Sequence, residues 1–110
     1  MLISFDEIQE TVFEKFRDGE KLTISRMYID DSNKIMYGKL EPGASIGLHK
    51  HETSSEVIYI LQGTGKVLFD GAYESLKSGL CHYCPKGHEH SLINDSKDDL
   101  VFFAVVPEHK

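Results

Sequence analysis

The sequence predicts an all-β fold, an antiparallel barrel or two-sheet sandwich, preceded by one short helix. Three observations carry this. Beyond residue 20 the chain divides into short segments rich in Ile, Val, Tyr and Phe, side chains that suit a pleated, half-buried surface. Clusters of Gly, Asp, Asn and Pro separate these segments at nearly even spacing, as in closed or stacked antiparallel sheets. The 110 residues, 40% of them hydrophobic, are enough for one core and leave no room for a linker.

Residues 1–20 read as a helical segment that packs on a barrel formed by 21–110. Ser4 and Glu7 stand at capping-box spacing, Phe5, Ile8, Val12 and Phe16 share a helical face, and Gly19 follows as a stop. Strands are expected over 22–29, 34–40, 46–51, 56–61, 65–69, 72–76, 81–84, 88–93 and 100–106. Glu41-Pro42-Gly43 suits a type II turn, and Asp70-Gly71 is a strong hairpin signal. "LVFFAVV" at 100–106 is apolar on both faces, whereas a strand with one solvated face alternates. Its outer side therefore needs a cover, from the N-terminal segment or from a second subunit, and a homodimer is expected.

Charge and composition narrow the partners. A formal charge of −6 and the absence of a basic run argue against nucleic acid or an anionic membrane surface. No apolar stretch approaches the roughly 20 residues that span a bilayer. The opening "MLISFDEIQE" lacks the basic start and apolar run of a signal peptide, so a cytoplasmic location is expected. Cys81 and Cys84 lie three apart on an expected strand, on opposite faces and about 10 Å from each other. That is too far for a disulfide, and no chemical role is expected of the pair.

Chemistry concentrates in "HKHETSSE" at 49–56. On a strand His49 and His51 point to one face, and Glu56 returns toward them after a polar turn. "GLCHYCPKGHEHSLIN" at 79–94 offers His90 as a fourth ligand from across the fold. The first stretch alone is equally compatible with surface histidines on a loop. Written out, the chain has Gly43, five residues, His49, one, His51, four, Glu56, six, Gly63; then Gly79, five, Pro85, one, Gly87, two, His90, three, Asn94. Either pattern arises by chance on the order of once per million starting positions. This closely resembles the two motifs of the cupin superfamily, across a stretch that covers most of the chain. Only Leu80 departs, where cupins often carry Asp.

The resemblance implies a small double-stranded β-helix (jelly-roll) barrel and one divalent metal ion held by His49, His51, Glu56 and His90. Ile58, His82 and His88 are expected around the pocket, and Asn94 is expected to bond backbone at the following turn. Three imidazoles and a carboxylate leave a divalent ion with a net charge of about +1 and suit Fe, Mn, Ni, Co or Zn. The expected ligand is a small anionic or enolisable molecule. A metalloenzyme of dioxygenase, isomerase or decarboxylase type is the preferred reading; a non-catalytic binding or sensing barrel is the alternative.

Overall fold

Alternation of inward apolar and outward polar side chains sets the strands, and the turn residues set their ends. The computed structural model describes residues 1–109. Its strands are β1 (Thr11–Glu14), β2 (Leu22–Ile29), β3 (Asn33–Leu40), β4 (His49–Lys50), β5 (Glu56–Gln62), β6 (Thr64–Phe69), β7 (Ala72–Lys77), β8 (Cys81–Cys84), β9 (Glu89–Ile93) and β10 (Leu100–Pro107). They form a six-stranded sheet in the order β1-β2-β3-β10-β5-β8 and a four-stranded sheet in the order β4-β9-β6-β7. Their pairings are antiparallel. Leu40, Ile58, Ile60, Val67, Leu92, Leu100 and Phe102 fill the space between the sheets. Along β5, Ile58 and Ile60 point inward while Val57, Tyr59 and Leu61 point out.

Both predicted turns form. The Ala44 N–H donates to the Glu41 carbonyl at 2.9 Å, and Gly43 at φ 82° takes the left-handed position of a type II turn. Asp70 (φ 47°) and Gly71 (φ 85°) make the doubly positive turn of a tight hairpin, with Phe69 paired to Ala72.

The N-terminal helix does not form. Two single turns of 3-10 helix, Phe5–Glu7 and Phe16–Asp18, flank β1 instead, and the Ser4 side chain makes no capping bond. Thr11, Val12 and Phe13 are β-branched or aromatic and pair with Ser25, Ile24 and Thr23 at the edge of β2. An edge ladder held by the rest of the fold outweighs the periodicity of a short, marginal helix. Lys15, Arg17 and Asp18 then take positive φ (49°, 52° and 64°), which no right-handed helix accommodates. The strand expected over 46–51 is also shorter, with only His49–Lys50 in the ladder. Ile46 still donates to Leu92, but the Gly47 N–H turns away to the Phe16 carbonyl at 2.9 Å.

The N-terminal segment covers part of the outer face of β10. The Phe5 ring lies 6.1 Å from Phe103 and 5.9 Å from Tyr37. The Arg26 guanidinium pins it by donating to the carbonyls of Phe5, Asp6 and Ile8 at 3.1, 3.3 and 2.9 Å. Val57, Tyr59, Leu61 and Tyr83 stay exposed on the same sheet.

Candidate metal centre

Pairing of β4 with β9 sets His49 directly opposite His90. His51 follows at the end of β4, and Glu56 opens β5 after the bend at 52–53. One ligand atom from each of the four lies within 4.8 Å of all the others. Glu56 Oε1 stands 3.0 Å from His51 Nε2, 2.9 Å from His90 Nε2 and 4.0 Å from His49 Nε2. His90 Nε2 is 2.9 Å from His51 Nε2 and 3.1 Å from His49 Nε2.

The opposite ring nitrogens decide the tautomers. His49 Nδ1 lies 2.8 Å from the Gly47 carbonyl, His51 Nδ1 2.9 Å from Ser54 Oγ, and His90 Nδ1 3.0 Å from His82 Nε2. A carbonyl can only accept, and the hydroxyl and the second imidazole are able to. Each Nδ1 therefore donates outward and each Nε2 aims a bare lone pair inward. Three converging lone pairs beside a carboxylate are mutually repulsive without a cation between them. The residues present fit a divalent ion.

Electrostatics agree with this. Burial works to raise the Glu56 carboxyl, but the imidazoles of His49, His51 and His90 gathered around it outweigh burial and hold it well below the ordinary range. Burial, together with the charges of His49 and His51, lowers His90 against the opposing pull of Glu56. Burial and the charge of His90 push His82 down to about 4. The neutral histidine is therefore the folded form, and unfolding releases a side chain that takes up a proton below about pH 6.5. The stability it contributes is complete above that value and is lost as pH falls toward 4. Urea melts of chelator-treated protein should show a loss of about 3 kcal/mol from His82 alone between pH 7 and 4. Equal midpoints at pH 7 and 4.5 would contradict this.

A cavity of about 140 Å³ opens directly onto the cluster. His49, His51, Ser54 and Glu56 form its floor, Phe16, Met36, Ile46 and Val106 its apolar wall, and Arg17, Asp30, Asp31, Lys34 and Glu108 its rim. Ile58, His82 and His88 border none of it. Ile58 belongs to the core, paired in register with His82. His82 lies behind His90, edge-on to Phe69. His88 stacks on Phe69 and bonds Asp70 on the outside. Cys81 is exposed and Cys84 buried, both as free thiols. Asn94 is fully buried and donates to the carbonyls of Leu40 and Asp98 at 2.9 and 2.8 Å. Sequence reasoning missed Gly47, Ser54, Phe16 and Arg17. Ser54, three residues after His51 in a polar turn, was the one with a readable signal.

The family model for the cupin domain matches residues 36–106. This chain belongs to the cupin family. Among known cupins it is similar to an oxalate-binding protein of Thermotoga maritima, 43% identical over 62% of this chain and 56% of that protein. An uncharacterized protein of Methanocaldococcus jannaschii is 38% identical over 47% of this chain and 42% of its own length. The chain thus spans about half the length of these curated relatives. A crystal structure described as a predicted oxalate decarboxylase from Thermotoga maritima superposes with a TM-score of 0.92 at 30% identity, covering 98% of this chain and 99% of that one.

Proposed function

We propose that the protein holds one divalent ion through His49, His51, Glu56 and His90 and binds oxalate, or a dianion of that size, directly on it. The carrying observation is the cavity on the ligand cluster. Its volume of about 140 Å³, below the roughly 300–1,000 Å³ of pockets for drug-sized ligands, suits a small molecule such as a dicarboxylate. A net positive charge at its floor favours an anion. The names given to the Thermotoga maritima relative and to the Thermotoga maritima crystal structure point the same way.

Catalysis on the same ligand is the second reading. Four protein ligands would leave positions vacant on a six-coordinate ion, unlike a closed structural site. When bound, the metal would supply Lewis acidity. Cleaving the C–C bond of oxalate to carbon dioxide and formate consumes one proton at carbon, and Asp31 and Glu108 are side chains bordering the cavity that could relay it from solvent.

Separate reconstitution with Fe(II), Mn(II), Ni(II), Co(II) and Zn(II), followed by calorimetric titration with oxalate, tests the proposal. Saturable binding that requires metal is expected. Formate release under one metal, abolished in Glu56→Gln, would establish an enzyme, whereas binding without turnover would establish a binding protein. No oxalate binding in any metal form would sink both readings.

The exposed strip Val57, Tyr59, Leu61 and Tyr83 leads us to propose a homodimer through the six-stranded sheet. Sedimentation at micromolar concentration should show twice the mass of the 12.5 kDa chain, and Tyr59→Glu should yield monomers. A monomeric wild type would remove the proposal.

A further inference from the structure

We propose that Arg17 is the specificity-determining residue of this site, the cation that grips the outward carboxylate oxygens of a metal-bound dianion. The inference rests on the oxalate reading above. Residues 15–20 dock against 45–47 largely backbone to backbone. Gly47 N–H donates to the Phe16 carbonyl, Ser45 N–H to the Glu20 carbonyl, and Glu20 N–H to Ser45 Oγ, all at 2.9 Å. A Cβ on Gly19 would fall 2.1 Å from the Ser45 carbonyl oxygen, and one on Gly47 would fall 1.8 Å from that of Arg17.

This docking holds non-glycine residues in a disfavoured conformation. Lys15, Arg17 and Asp18 all lie in the left-handed region, where glycine would be unstrained. Strain of this kind persists where the surroundings impose it and clusters at ligand clamps. At position 17 it sets an arginine on the rim of the cavity whose floor is His49, His51 and Glu56. The guanidinium has no carboxylate partner among the described residues; its central carbon stands 5.8 Å over the ring of Phe16, itself part of the cavity wall.

The chemistry matches a dianion. A dicarboxylate that chelates an ion through one oxygen of each carboxylate presents its other two oxygens side by side, away from the metal. A planar guanidinium satisfies such a pair with two parallel N–H donors, whereas an ammonium offers a single point charge. Lys34, the other cation of the rim, is therefore the weaker candidate. Of the rim carboxylates, Asp30 already accepts from Ser32 N, Asn33 N and the Tyr28 hydroxyl to shape the β2–β3 turn. Asp31 and Glu108 border the same cavity and would repel the far end of a longer polyanion.

The test is calorimetry on Mn(II)-loaded wild type, Arg17→Gln, Arg17→Gly and Lys34→Gln, with oxalate and with acetate as a monocarboxylate. Arg17→Gln should weaken oxalate at least tenfold and leave Mn(II) and acetate affinities within twofold of wild type. Arg17→Gly relieves the left-handed backbone, so it should melt no lower than wild type yet lose the same oxalate affinity, which a merely structural role would not produce. Lys34→Gln should bind oxalate within twofold of wild type. Oxalate affinity within twofold of wild type in both Arg17 variants, or a loss confined to Lys34→Gln, would overturn the inference alone. A wild type that binds Mn(II) but no oxalate would overturn it together with the reading on which it rests.

Discussion

His51→Ala is expected to lower divalent-metal affinity by more than about 100-fold. His51 Nε2 stands 3.0 Å from Glu56 Oε1 and 2.9 Å from His90 Nε2, and Ser54 holds the ring from behind. Changes to groups that only orient a ligand already cost 10–100-fold in many metal sites, so loss of a ligand should exceed that range. Stability gives a second readout. An ion present at about 100 times its dissociation constant stabilises the folded chain by about 2.7 kcal/mol, and this gain should vanish in the variant. The metal-free form should suffer far less, because the substitution removes one of three clustered imidazoles whose lone pairs face each other. His109→Ala supplies the control: it breaks a 2.8 Å bond to Ser55 Oγ but touches no ligand. Equal metal content in the two variants, measured after dialysis by atomic emission, would refute the ligand assignment.

The strands were legible because side-chain alternation and turn chemistry act locally. Ile58 and Ile60 face the core by parity alone, and Asp70-Gly71 adopts its hairpin geometry with little help from the rest of the chain. The four ligands were legible because motif spacing survives folding: β4 and β9 need only pair for His49 to meet His90. The N-terminal segment was misread for the opposite reason. Phe5, Ile8, Val12 and Phe16 keep a helical period, but the free edge of β2 is visible only in three dimensions, and it captures Thr11–Glu14 as a strand. That misreading concealed Arg17 as well, since on a helix it would have faced solvent rather than the rim of the cavity. The groups that hold the ligands from behind were hidden too. The Gly47 carbonyl reaches His49 Nδ1 because the chain leaves the strand ladder at 47 to bond Phe16, and His82 reaches His90 because β8 and β9 belong to different sheets that face each other.

Gly47→Ala should damage stability and metal binding together, because Gly47 joins the N-terminal turn to a ligand. Its N–H donates to the Phe16 carbonyl at 2.9 Å and its carbonyl accepts from His49 Nδ1 at 2.8 Å. An added Cβ would lie 1.8 Å from the Arg17 carbonyl oxygen and 2.8 Å from Gly19 N, both backbone atoms that no rotamer change can move. The turn must lift away. It then loses the Gly47–Phe16 and Ser45–Glu20 bonds, worth about 1 kcal/mol each, and part of the burial of Phe16, which packs against the core and contributes about 1–2 kcal/mol. The expected destabilisation is about 3 kcal/mol, read from urea unfolding. Any shift of the Gly47 carbonyl also frees the His49 ring to turn or to change tautomer, and metal affinity should fall about 10–100-fold. Gly71→Ala separates this from a general intolerance of substitution: its φ is 85° but nothing lies within 4 Å of the added carbon, so it should cost only about 1–2 kcal/mol and leave metal affinity unchanged. A Gly47→Ala protein with wild-type stability would show that the turn is not docked on 45–47. One that is destabilised but binds metal normally would show that His49 is held by its strand rather than by the Gly47 carbonyl.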